Sequence, residues 1–155
     1  MTSLLPGARP SYIGARLRAS EDERLAAGRH NYVADLSLPG TVDVAIVRSM
    51  VPHALLTAVD TSRAKLSPGV LAVVTAQDLA GLSAVPDYFP WARPVSMSAL
   101  CGSKVRYVGA PVAAVVASDR YLAEDAAELV EANYTELASV MTMQEALTPG
   151  APRLY

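Results

Sequence analysis

Residues 104–134 read KVRYVGAPVAAVVASDRYLAEDAAELVEANY, and this stretch decides the fold class. Val105, Tyr107 and Val108 make a short β-prone run that Gly109-Ala110-Pro111 interrupts. Val112–Ala117 follows as a continuous apolar run with β-branched residues, the pattern of a buried strand. Ser118 or Asp119 can cap a helix expected to reach about Asn133. Leu122, Ala126, Leu129, Val130 and Asn133 share one side of that helix. Glu124, Asp125, Glu128 and Glu131 fall largely on the other. Tyr134 then starts another extended run. Strand, turn, strand, helix and strand in this order predict a small α/β (α+β) core.

Outward from that unit, the chain offers several shorter elements. Residues 1–20 hold Pro6, Gly7, Pro10 and Gly14 and read as an extended N-terminal arm; residues 21–155 read as the folded domain. Ser20 and Glu23 have capping-box spacing ahead of a single helical turn that should close near Gly28. Tyr32–Asp35 is expected to be a short strand, and Pro39-Gly40 a turn. Val42–Ser49 and Ala54–Asp60 are strands separated by Met50-Val51-Pro52-His53, with Pro52 ending the first. Thr61 should cap a helical turn through Leu66. Val70–Thr75 (VLAVVT) is apolar throughout and is expected at the centre of a sheet. A short helix should run from Thr75 or Ala76 to Leu79. Residues 82–103 are irregular and carry Tyr88, Phe89, Trp91 and three prolines, a composition common in functional loops. A strand near Leu137–Met141 and a helix from Thr142 to Leu147, with Thr142 and Glu145 at capping-box spacing, complete the reading.

At 155 residues, one domain is expected, large enough to bury a core without disulfides or metals. Its hydrophobic fraction is 52% but its aromatics only 6%, so the core should be aliphatic. Charged residues, at 18%, fall below the usual quarter. An apolar excess with so little charge points to surface covered by a partner. The net charge of −2 and the lack of a basic run exclude general nucleic-acid binding. Five Arg against three acids in residues 1–30 make the arm basic, whereas seven acids face Arg120 alone in residues 119–145. Cys101 is the only cysteine, which excludes an internal disulfide and a cysteine-based metal cluster and fits a cytoplasmic protein. No apolar run is long enough to span a membrane, and no secretory signal is evident at MTSLLPGARPSY.

Chemistry-bearing residues are sparse. GxGxxG, P-loop, GxSxG and HExxH patterns are all missing. His30 and His53, the only histidines, have no second ligand at helical or hairpin spacing, so no metal site is expected. Arg48-Ser49-x-x-x-His53 is the most polar local cluster beside an apolar strand. Arg48 could hold a carboxylate or phosphate, and His53 could act as acid or base. Both could equally form turn-stabilising hydrogen bonds to backbone carbonyls. Cys101 is a nucleophile only if a neighbour lowers its pKa, and otherwise a small buried or half-buried thiol. On the residues alone, no active site is assigned.

The order of motifs nevertheless resembles the N-terminal α/β-hammerhead domain of the molybdenum-binding large subunit of the xanthine oxidase/aldehyde oxidase family, CO-dehydrogenase type. The likeness covers nearly the whole chain. It rests on Leu25, Gly28 and Tyr32-x-x-Asp35; on Leu38-Pro39-Gly40, Ile46-Val47-Arg48-Ser49 and His53-Ala54; on Pro68-Gly69-Val70 and Thr75-Ala76-x-Asp78-Leu79; and on Lys104–Gly109, Pro111-Val112-Ala113 and Ala123-x-Asp125-Ala126. Ala110, Asn133 and Ala138 depart from the family's usual residues. The resemblance implies the hammerhead fold, with small mixed sheets and a C-terminal amphipathic helix. It implies an oxidoreductase whose molybdopterin cofactor, iron–sulfur clusters and FAD sit in partner chains, with none bound by this chain alone. No residue here matches a catalytic or cofactor-binding motif of the family.

Two functions follow as expectations. In the first, the chain is a separate subunit, or an excised piece, that docks on a molybdenum-binding large-subunit chain, serves assembly and helps shape the substrate funnel. In the second, it is a free-standing hammerhead protein that binds a small molecule or catalyses a cofactor-free proton transfer or cyclisation. Its pocket would then comprise Arg48, His53, Tyr88, Phe89, Trp91, Met97 and Tyr107. An inactive remnant is a third reading.

Overall fold

In the computed structural model, residues 12–82 and 98–155 are described. Strands lie at Asp43–Arg48 (β1), Ala54–Asp60 (β2), Val70–Thr75 (β3), Lys104–Val105 (β4), Pro111–Ala117 (β5) and Glu131–Glu136 (β6). Short helices lie at Asp22–Ala26 (α1), Ser62–Lys65 (α2), Arg120–Ala127 (α3) and Met143–Leu147 (α4). The strands form two three-stranded antiparallel sheets, in orders β1-β5-β3 and β4-β2-β6. The expected α/β (α+β) class therefore holds. Two units can be distinguished, one ending at Pro39 and the other running from Gly40 to Tyr155.

β5 serves both halves of the second unit. Alternate side chains of a strand point to opposite faces. Ala113 and Val115 enter a core with Ala64, Val73, Ala126 and Val130, beneath α2 and α3. Val112 enters a second core with Ala54, Leu56, Val105 and Ala110. Val112, Ala113, Val115 and Ala117 are all fully buried. At about 1.5–3 kcal/mol for each buried valine side chain, this strand contributes more than any surface feature can.

The region after β5 differs in part from expectation. Asp119 does cap α3: its Oδ1 accepts from the backbone N–H groups of Tyr121 at 2.8 Å and Leu122 at 3.4 Å. Ala123 and Ala126 are buried, so the amphipathic reading is right in kind. But α3 stops at Ala127 rather than near Asn133, and residues 131–136 form β6. The ladder to β2, from Asp60↔Glu131 to Ala54↔Glu136, overrides local helix propensity. The strand expected near Leu137–Met141 thus lies earlier in the chain.

Other corrections share one cause, the competition of short polar side chains for backbone N–H groups. At α2 Thr61 does hold the N-cap position, but its side chain makes no capping bond; the Asp60 Oδ1 accepts from the Ser62 N–H at 2.9 Å instead. Asp78 accepts from the N–H of Thr75 at 2.7 Å and from its hydroxyl at 2.8 Å, so the segment after β3 is a chain of turns instead of a helix. In the first unit Asp22 accepts from the Ala19 N–H, which replaces the expected Ser20–Glu23 box. The expected strand at Tyr32–Asp35 is instead a 3-10 turn over Val33–Asp35, capped where the Asp35 carboxylate accepts from the Tyr32 N–H at 2.9 Å. The Thr142–Glu145 box does form, in both directions. β3, expected at the centre of a sheet, is an edge strand; β5 occupies the centre.

Gly69 couples α2 to α3. Its φ is +76°, and a Cβ there would lie 2.5 Å from Leu122 Cδ1 and 3.1 Å from Ser118 Oγ. Its carbonyl also accepts from the Ser118 N–H at 3.0 Å. Gly69→Ala is expected to destabilise the protein by about 1–3 kcal/mol, through the left-handed backbone and displacement of Leu122. Urea unfolding with an unchanged midpoint would contradict this.

Candidate functional site

The polar cluster at the end of β1 is a lock between two turns. Ser49 is completely buried. Its N–H donates to the Ala110 carbonyl at 2.9 Å, and its carbonyl accepts from the Gly109 N–H at 2.7 Å. The Ser49 hydroxyl donates to the Val51 carbonyl at 2.9 Å, and its oxygen accepts from the Val51 N–H at 3.1 Å. Arg48 Nη1 donates to the Gly109 carbonyl at 2.9 Å. Gly109 has φ +88°, a conformation that leaves both its polar groups aimed at β1. Buried backbone groups require partners, and Arg48 and Ser49 provide them here.

His53, just before β2, is only 4% exposed. Its Nδ1 hydrogen-bonds the Ala138 carbonyl. A carbonyl only accepts, so Nδ1 carries the proton. The His53 carbonyl accepts from the Leu137 N–H at 2.8 Å, and the pair of bonds ties residues 137–138 to the start of β2. Nε2 is buried without a hydrogen-bond partner among the described residues. Arg48 and His53 thus bond to backbone carbonyls, as the second of the two sequence readings holds. Tyr107 is 52% exposed and its carbonyl closes the turn through the Ala110 N–H. Tyr88, Phe89, Trp91 and Met97 lie outside the described residues.

Cys101 is half-buried. Burial pushes its thiol up from the ordinary value, against the opposing pull of the Arg106 charge. It therefore stays a thiol at neutral pH rather than an activated nucleophile. It borders a cleft of about 260 Å³, with Thr57, Thr61, Lys65, Gln77 and Asp78 among the other lining residues. The Asp78 carboxyl is held below the usual range by the Thr75 N–H, then by the Thr75 hydroxyl, with a smaller pull from Lys65. Among the described residues no three His, Cys, Asp or Glu side chains gather as a metal site would need. No helix among them is long and apolar enough to cross a membrane.

One feature near this region left no trace in the sequence pattern. Lys104 Nζ donates to the Arg153 carbonyl at 3.0 Å, and Arg106 Nε to the Leu154 carbonyl at 2.8 Å. The Arg106 guanidinium also lies 4.8 Å over the Tyr155 ring. Residues 153–155 are thereby strapped along β4.

Residues 27–138 match the family model described as aldehyde oxidase and xanthine dehydrogenase, a/b hammerhead domain. The chain belongs to this family. It is 42% identical to the carbon monoxide dehydrogenase large chain of Afipia carboxidovorans, over 92% of this chain and 17% of that one. It is 38% identical to the 6-hydroxypseudooxynicotine dehydrogenase complex subunit gamma of Paenarthrobacter nicotinovorans, over 92% of this chain and 19% of that one. Among solved structures, quinoline 2-oxidoreductase from Pseudomonas putida 86 superposes with a TM-score of 0.81 at 38% identity, covering 91% of this chain and 18% of that one. The Cu,Mo-CO dehydrogenase gives 0.79 at 40% identity, covering 90% and 17%. The hammerhead chain thus spans less than a fifth of each of these relatives.

Acid should weaken the folded state through Asp60 and Asp78. The carboxyl of Asp60 is lowered by the Ser62 backbone N–H, then the Ser62 hydroxyl, and that of Asp78 by Thr75. Both pKa values are depressed in the folded state. Their contribution is complete above the unfolded-state pKa and is lost as pH falls toward the folded value. Urea midpoints measured from pH 6 down to pH 2.5 are expected to fall less steeply for Asp78→Asn than for the wild type. Parallel curves would refute this role.

Proposed function

We propose that this chain is the hammerhead component of a molybdenum hydroxylase, and that its work is assembly. It packs on the molybdopterin-bearing part of the enzyme and helps shape the funnel through which substrate reaches that part. Iron–sulfur clusters and FAD belong to partner chains in this reading. Support comes from the family match and from relatives whose names describe a large chain or a complex subunit.

One structural observation carries the assembly role. Among the described residues, twenty-three large apolar side chains are exposed, whereas fourteen hydrophobic residues form the buried core and seven of those are alanines. The first unit shows this most clearly. Tyr12, Ile13, Leu17, Leu25, Val33 and Leu38 are all exposed there, and α1 buries no residue. A segment so apolar and so poor in core of its own gains its stability from a surface it packs against.

The described residues do not fit the cofactor's metal end. Arg48, Ser49 and His53 are bonded to backbone groups, Cys101 is a neutral thiol, and no donor cluster is present among them. No chemical step is assigned to the cofactor through this chain.

Native mass spectrometry of the protein purified from its own source, with metal analysis of the same fraction, tests the proposal. The expected result is a complex, or a longer polypeptide, that contains molybdenum and iron. A lone, metal-free chain of this length would overturn the proposal and favour the small-molecule reading.

A further inference from the structure

The sheet β1-β5-β3 has two faces, and the helices cover one of them. The register places Ile46, Ala114 and Val74 on one rung, and Val44, Val116 and Ala72 on the next. The alternating residues Val47, Ala113, Val115 and Val73 point into the core beneath α2 and α3. Side-chain alternation therefore turns the first six residues away from both helices. All six are apolar. Val44 is 54% and Ile46 39% exposed; Ala72 is exposed and the other three are half-buried.

A solvated antiparallel face would be polar at these positions. Edge strands that face water also carry charges or prolines that discourage pairing. β3 reads VLAVVT and carries neither, and Leu71 on that edge is 62% exposed. These six positions have the composition of a sheet buried on both sides; among the described residues no second layer fully buries them, while Val112, next along this face of β5, enters the second core.

We infer that this outer face seats the molybdenum-bearing remainder of the family polypeptide, whether that remainder is continuous with this chain or separate from it. The inference rests on the proposed function and adds the surface through which it operates. The occupant must present an uncharged, apolar layer, because a charge set against these six side chains would lose its hydration without a partner. Length supports the assignment. The chain covers 17% of the CO dehydrogenase large chain, which leaves more than four fifths of that architecture to supply the second layer. A second copy is the poorer occupant. Two rungs across three strands measure roughly 10 Å by 7 Å, far short of the ~800 Å² per partner that a stable dimer uses. A larger body can continue past the sheet onto Val42 and Leu71, which are also exposed.

Carbene footprinting of the intact protein from its own source, with molybdenum measured in the same fraction, tests this surface. Labelling of Val44, Ile46 and Val116 is expected to be about tenfold below that in urea-unfolded protein, as in a dry interface centre. Val44→Lys is expected to reduce the molybdenum recovered with the chain about tenfold, because it buries an unpaired charge. Tyr121→Lys, on the exposed side of α3, should leave it unchanged. If Val44→Lys does not fold, the footprint on unaltered protein decides. A molybdenum-bearing protein whose Val44 and Ile46 label as in urea overturns this inference and leaves the proposed function standing. A metal-free monomer with the face labelled overturns both. A metal-free homo-oligomer with the face protected assigns the surface to a second copy and also overturns both.

Discussion

The structure depends on one strand that is paired along both edges. β5 is hydrogen-bonded along both edges, to β1 and β3, and its successive side chains enter two different cores. A one-residue slip in its register would exchange Val112 with Ala113 and misfill both cores at once. That constraint explains the turns at its N-terminal end. The chain must leave β4, reverse and enter β5 within a few residues, and the carbonyl and N–H of Gly109 would be left without partners in the reversal. Arg48 and Ser49 take them up. Their position at the end of β1, opposite Pro111 in the ladder, puts them beside the groups that need bonding.

The cores themselves are thin. Among the described residues, seven of the fourteen buried hydrophobic residues are alanines, and the largest fully buried side chains are valines and Ser49. Alanine buries little area, so each contributes far less than the ~1.5–3 kcal/mol of a buried Val or Leu. Small residues such as Ala123 and Ala126 let α3 lie against β1 and β5 but bury little apolar area. Many larger apolar residues, Ile46, Leu55, Leu66, Leu71 and Tyr121 among them, are outside. This inversion is the opposite of what an independent monomer of this size requires.

The sequence shows the parts of this fold that are governed by local pattern. β2 and the capping box of α4 lie where the residues place them, and β5 needs only Pro111 added, because continuous apolar runs and Thr-x-x-Glu spacing carry their own physical signature. It hides what depends on distant pairing. Residues 128–133 read as helix because Glu128, Leu129 and Glu131 are helix formers, and only the ladder to β2 makes them otherwise. VLAVVT reads as a central strand because periodicity reports burial on two faces but not hydrogen bonding on two edges. The strap of residues 153–155 on Lys104 and Arg106 has no local signature at all.

The same distinction governs the candidate site. Arg48 and His53 stand out in the sequence because a charged and a titratable residue flank an apolar strand. That signal is ambiguous in principle: a polar side chain beside a buried element either meets a ligand or meets the backbone that the element's ending leaves unpaired. Pro52 supplies the deciding clue. A proline four residues after the end of β1 keeps the chain out of the ladder and leaves carbonyls nearby that need partners. Ser49, Val51 and His53 then form a local bonding system, with His53 reaching the Ala138 carbonyl after β6. The family resemblance rests on these positions because the fold is built around them. Arg48, Ser49 and His53 thus mark the shared fold through the backbone groups that they bond.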